Sequence, residues 1–126
     1  MYSNNNTAAS ALGKKGEDMV ARYLKDNGYI ILKQNWRDRF GEIDIIAEND
    51  DNIVFVEVKT RSENALVSGL EAVDSGKMHR IKNEAISFTK RLNTDLPPRI
   101  DVAEVTVKTD NNGKSVYSLN YIKNVY

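Results

Sequence analysis

The chain has 126 residues, enough for one domain with a real hydrophobic core, and it carries neither an apolar stretch of membrane-spanning length nor a charged-then-apolar amino terminus of the secretory kind. A cytoplasmic protein is the expectation. Eighteen basic and eighteen acidic residues give a formal charge of zero, which argues against a nonspecific nucleic-acid binder unless the charges are segregated. There is no cysteine and one histidine, His79. Disulfides, thiolate nucleophiles, cysteine-ligated zinc or iron–sulfur centres and histidine-rich metal sites are thereby excluded. A metal bound here would be oxygen-ligated, which favours magnesium, manganese or calcium.

Residues 1–12 are polar and poor in large apolar side chains, so they read as a disordered tail preceding a single domain over 13–126. A helix is predicted from about Lys14 to Asn27, capped by Gly28, with Leu12, Val20 and Leu24 on its apolar stripe. Glu17 lies on that same stripe. One account makes it an N-terminal-turn acid favoured by the helix dipole; the other brings it to a polar site on the sheet. Strands follow at about 29–35, 42–48 and 53–60, then a connection from Arg61 to Ser75 without periodicity. Asp74 or Ser75 can cap a second helix to about Leu92, whose stripe is Met78, Ile81, Ala85, Phe88 and Leu92. Pro97-Pro98 breaks the chain before a strand at 100–107, and Asn111-Asn112-Gly113 turns into a last strand at about 115–122.

The second and third strands carry charge where burial is expected. Gly41-Glu42-Ile43-Asp44-Ile45-Ile46 and Ile53-Val54-Phe55-Val56-Glu57-Val58-Lys59 flank the turn cluster Asn49-Asp50-Asp51-Asn52, the pattern of an antiparallel hairpin with an even-length loop. In that register residue i faces residue 101 minus i, so Asp44 faces Glu57 and Glu42 faces Lys59, all on one face. The other face, Ile43, Ile45 and Ala47 against Val58, Val56 and Val54, is wholly apolar, and a one-residue slip would mix the two sets. Opposed residues have Cβ atoms about 4.5–5.5 Å apart, close enough for two carboxylates to hold one divalent ion. Burying such groups costs stability unless they are paired or bind a cation.

The order α-β-β-β-α-β, with an acid on the first helix, Asp44 on the second strand and Glu57-Val58-Lys59 on the third, resembles the PD-(D/E)xK, or restriction-endonuclease-like, nuclease superfamily. More narrowly, Gly16-Glu17-Asp18, Asn35-Trp36-Arg37, Gly41-Glu42-Ile43-Asp44, the octet from Val54 to Arg61, and Arg99-Ile100-Asp101-Val102 resemble the YraN family of small bacterial proteins. The likeness covers roughly Gly13 to Val105, and Ile43 stands where the superfamily signature writes proline. It implies an α/β fold with an αβββαβ core, a mixed β-sheet flanked by helices. It also implies Asp44 and Glu57 as metal ligands, Lys59 beside the attacking water and Glu17 as an outer acid. It does not imply activity, because the superfamily includes inert copies that only bind.

The chemistry open to these residues is magnesium- or manganese-dependent hydrolysis of phosphodiester bonds, with Asp44, Glu57 and the Val58 carbonyl on the ion and Lys59 orienting or deprotonating the water. Nucleic acid, DNA in the first instance, is the expected partner. The layout also resembles Holliday-junction resolvases, which act as dimers, so a structure-specific endonuclease and a homodimer are both expectations. The alternative is a catalytically inert nucleic-acid-binding or adaptor protein on the same fold. Lys77 and Arg80 on the second helix, with Arg37 and Arg61, are candidate nucleic-acid contacts. For the basic run from Lys77 to Arg91 a solvated helix face is the competing account. Trp36 is read as packing before base stacking, His79 as a surface residue and Asp101 as a structural salt bridge. Thr60 and Arg61 continue the motif strand toward the scissile backbone.

Overall fold

The computed structural model describes residues 4–63 and 75–126. In chain order the elements are α1 (Asn4–Asp26), β1 (Ile30–Asp38), β2 (Gly41–Glu48), β3 (Ile53–Ser62), α2 (Ser75–Leu92), β4 (Pro98–Thr109) and β5 (Ser115–Ile122). The five strands form one sheet in sequence order, antiparallel except for β3 beside β4, which is parallel. This is the αβββαβ core with a mixed sheet and flanking helices that the resemblance implies.

Each helix covers one face. Val20, Ala21 and Leu24 of α1 pack on Ile45, Ala47, Val54, Val56, Ala103 and Val105. Ile81, Ala85 and Phe88 of α2 pack on Ile46, Ile53, Phe55, Ile100 and Val102. β3 is therefore apolar on both sides at its start, and Ile53 to Val56 are fully buried. No helix among the described residues is long and apolar enough to cross a membrane.

The local chemistry sets these boundaries. Gly28, at φ +87°, ends α1 in a Schellman motif, with Gly28 N–H donating to Lys25 O at 3.2 Å and Tyr29 N–H to Leu24 O at 2.9 Å. The Asn49 side chain accepts from Asp51 N–H at 3.0 Å and Asn52 N–H at 2.8 Å, which closes the β2–β3 turn. Asp110 does the same for the β4–β5 turn, where Gly113 has φ +79°.

Several expectations need correction. α1 starts at Asn4, not near Lys14, so the segment read as a tail is continuous with the helix from residue 4 on. Alanines and small polar residues with no proline can extend a helix that tertiary packing anchors further along. β1 runs on to Asp38 because Trp36, Arg37 and Asp38 ladder with Ile43, Glu42 and Gly41. Leu92, placed on the α2 stripe, is 42% exposed. Ser75 opens α2, whereas Asp74 and most of the connection from Arg61 to Ser75 lie outside the described residues.

Candidate active site

The expected register holds where β2 and β3 pair: Ile45 faces Val56, Ile46 faces Phe55, Ala47 faces Val54 and Glu48 faces Ile53. Beyond Ile45 and Val56 the strands separate. β2 continues along β1 to the Gly41–Asp38 pair, and β3 continues along β4 to Ser62–Val107. Asp44 and Glu57 are the first residues past this fork. Asp44 Oδ2 accepts the Val58 N–H at 2.8 Å, so a side chain takes the donor that has left the β2–β3 ladder.

The fork overturns two details of the hairpin reading. Glu42 does not reach Lys59; it accepts from Arg37 Nη2 and Nε across the β1–β2 ladder, because β2 stays with β1 there. Ile43 leaves the face of Ile45 and Ala47 and joins the cluster under α2. The alternation breaks beside Asn35, which lies between the Gln34–Ile45 and Trp36–Ile43 pairs and has φ +53°.

Of the two central carboxyls, Glu57 is buried and Asp44 half-buried. Glu57 is 6% exposed. Burial pushes the Asp44 carboxyl up to about 8, with the Glu57 charge and a proton shared with Glu57 adding to the shift and the Val58 N–H opposing it. Glu17 joins them from the other side of the sheet. A Cβ at Gly16 would stand 1.9 Å from Thr60 Oγ1, so only glycine lets α1 sit this close to β3. That approach brings the next residue, Glu17, to the Asn35 side chain and within the field of Asp44. Burial raises its pKa, and Glu42 adds to the rise. The dipole account of Glu17 falls, because α1 has no acid in its first turn and starts at Asn4.

Cations close the site. Lys77 Nζ of α2 lies 3.2 Å from Glu57 Oε1, nearer than Lys59 Nζ at 4.0 Å. Burial, together with the hydrogen bond and charge of Lys77, holds Lys59 below the usual lysine range. Lys77 is therefore part of this cluster, not an outlying contact on a basic helix face. Arg80, one turn further, lines the same cleft of about 210 Å³ with Asp44, Glu57 and Lys77. Arg37 is not aimed into it, since its guanidinium is bound to Glu42. Arg61 lies half-buried two residues beyond Lys59 on β3.

Among the described residues no three histidine, aspartate or glutamate side chains converge on one point. Asp44 and Glu57 nevertheless fit a hard divalent ion. They are one buried and one half-buried oxygen donor close enough to interact directly, and magnesium commonly takes one or two carboxylates and completes its shell with other oxygens and water. The Val58 backbone is at the same place through its bond to Asp44.

Sequence reasoning missed a second acidic pair, one member of which, Glu84, lines this cleft. Glu84 of α2 is 1% exposed and faces Asp38 at the end of β1. Burial pushes its carboxyl up to about 7, and the Asp38 charge and a proton shared with Asp38 contribute. A signal was present, because Glu84 lies three residues after Ile81 and four before Phe88, on the apolar stripe of α2.

Other candidates resolve as packing. Trp36 meets Phe88 edge-on at 5.1 Å in the core under α2. His79 is exposed. Thr60 faces Gly16 instead of the cleft. Asp101 is fully buried and bound to Arg99, Tyr121 and the Asn124 N–H, the structural salt bridge expected of it.

Residues 16–105 match the model of a family described as "Uncharacterised protein family UPF0102". Curated relatives described as UPF0102 proteins include one from Syntrophomonas wolfei, 41% identical over 116 residues, covering 91% of this chain and 96% of the relative. Another, from Syntrophus aciditrophicus, is 47% identical over 100 residues and 78% of each chain. A third, from Bacteroides thetaiotaomicron, is 36% identical over 115 residues and 91% of each. Among solved structures, SfsA of Pyrococcus furiosus in complex with Ca2+ matches with a TM-score of 0.43 and 14% identity, over 86% of this chain and 62% of that one.

Proposed function

The chain belongs to the uncharacterised protein family UPF0102, and we propose that it is a metal-dependent nuclease that hydrolyses phosphodiester bonds in DNA. The observation that carries this reading is the meeting of Asp44 and Glu57 at the β2–β3 fork, with Lys59 and Lys77 against Glu57. A buried carboxyl facing a half-buried one destabilises a sheet unless paired, but it is a suitable seat for a cation.

In this reading Asp44, Glu57 and the Val58 carbonyl hold magnesium or manganese. When bound, the ion polarises a phosphate oxygen and lowers the pKa of a bound water. The remaining steps belong to the chain's own groups. Lys59, held below the usual lysine range, is suited to orient the attacking water and accept its proton. Lys77 fixes the Glu57 carboxylate, and Arg80 at the cleft wall binds the phosphate. Glu17 positions water outside the central pair. Water adds to phosphorus, the P–O bond to the leaving sugar oxygen breaks, and that oxygen takes up a proton.

The test is cleavage of labelled single-stranded, duplex, flapped and four-way-junction DNA, with RNA counterparts, in magnesium and in manganese. Wild type should cut at least one of these, Glu57→Gln should be inactive, and Lys59→Ala should lose about 10²–10⁴-fold, the range for a positioned general base. A preference for the junction would mark a structure-specific enzyme that needs two copies to cut both strands. Binding without cutting, unchanged in Glu57→Gln, would contradict the enzyme reading and leave an inert nucleic-acid-binding or adaptor protein.

A further inference from the structure

The cleft continues past Asp44 and Glu57. On its wall Glu84 reaches from α2 to the β1–β2 turn, where Gly41 has φ +140° and a Cβ would lie 3.4 Å from Glu84 Oε1. Asp38 faces it from β1. Asp38 Oδ1 accepts the Phe40 N–H at 2.8 Å, but Asp38 Oδ2 and Glu84 Oε2 are both buried with no donor among the described residues. A buried carboxylate oxygen without a donor costs stability, and here two of them meet.

Arg80 lines the cleft with Glu84 but donates to neither orphaned oxygen, and other nearby cations make their contacts elsewhere. Arg37 is bound to Glu42, Lys77 is at Glu57, and Arg91 lies over the Trp36 ring. After Asp38, the largest charge effects on Glu84 come from Glu57 and Glu42, both negative. One shared proton would neutralise a single charge and leave this wall of the cleft electronegative. A divalent ion would neutralise both carboxylates and satisfy both orphaned oxygens.

We propose that Asp38 and Glu84 form a second divalent-cation site, separate from the Asp44–Glu57 pair, with Glu84 on the wall of the same cleft. All its side-chain donors are hard oxygens, so it takes magnesium, manganese or calcium and completes the shell with water. The ion links the end of β1 to α2, and so braces the helix that carries Lys77 and Arg80. The site stands on its own geometry and does not require that the protein cut DNA.

The experiment counts manganese. Free Mn2+ is measured by electron paramagnetic resonance during titration into the full chain at pH 8, for wild type, Glu84→Gln, Asp38→Asn and Asp44→Asn, each checked for folding by circular dichroism. Two ions per wild-type chain are expected, with one lost in Glu84→Gln and in Asp38→Asn and the other lost in Asp44→Asn. If Glu84→Gln does not fold, Asp38→Asn decides, because Asp38 lies at a strand end that is only partly buried. One ion that only Glu84→Gln and Asp38→Asn remove would support this site while removing the metal from the fork. Binding equal to wild type in Glu84→Gln or Asp38→Asn would overturn the site and leave the pair holding only a proton.

Discussion

Asp101 and Asp44 lie on the same sheet, the first fully buried and the second half-buried, and their surroundings are opposite. Asp101, fully buried, accepts from Arg99 Nε and Nη2 at 2.9 Å each, from Tyr121 OH at 2.6 Å and from Asn124 N–H at 2.9 Å. Arg99 is anchored in turn by Tyr29 OH at 2.7 Å. Asp44 accepts one backbone N–H and otherwise faces another carboxyl. A buried acid with its hydrogen bonds complete and its charge paired is structural, whereas one that faces a second acid is poised for a ligand. The contrast separates two motifs that look equally charged in sequence.

The largest effect should come from breaking the complete network. Asp101→Asn leaves the half-buried Arg99 without its counter-charge and breaks a buried network, and denaturant unfolding should show a loss of about 3–5 kcal/mol. An Asp101→Asn protein as stable as wild type would remove the structural reading of that end. Next is Gly16→Val, which drives a side chain into Thr60 on the line that brings Glu17 to the site. It should cost about 1–3 kcal/mol by overpacking, and adding Thr60→Ala should recover part of the loss. An unchanged unfolding midpoint in Gly16→Val would mean that α1 does not approach β3 this closely.

The pH dependence sharpens the comparison more gently. Asp44 and Glu84 have folded-state pKa values raised to about 8 and about 7, above their unfolded values. From about pH 4 upward the unfolded chain has released protons that these groups still hold when folded, so the ligand-free protein loses stability as pH rises through this window. Asp44→Asn and Glu84→Gln should each flatten that slope in thermal unfolding without added metal. A slope as steep in both variants as in wild type would place the titrating groups elsewhere.

Much of this was legible from local pattern. The alternation in 41–59 and the Asn49–Asn52 turn set the i to 101 minus i register that the ladder keeps from Ile45 to Glu48. The position of Glu17 on the α1 stripe pointed to the sheet, and Glu57-Val58-Lys59 gave a carboxylate and a lysine that meet in the cleft. The fork was not legible, because it depends on β2 staying with β1 while β3 follows β4, a competition between ladders that neither strand records alone. That is why Glu42 was paired with the wrong cation and Ile43 placed on the wrong face. Lys77 and Glu84 were hidden for a related reason. Only the packing of α2 over the far side of the sheet turns Lys77 toward Glu57 and Glu84 toward Asp38. Glu84 lies on the apolar stripe of α2 just as Glu17 lies on that of α1, and the same pattern marks both.

The most direct measurement follows the side-chain carboxyl carbon of Asp44 by nuclear magnetic resonance as pH is raised, with and without magnesium, assigned by comparison with Asp44→Asn. The account predicts titration near pH 8 in the ligand-free protein and a fall toward the ordinary aspartate range when magnesium is present, since the ion displaces the shared proton. Titration in the ordinary range under both conditions would contradict it, because Asp44 would then be a solvated acid with no need of a cation.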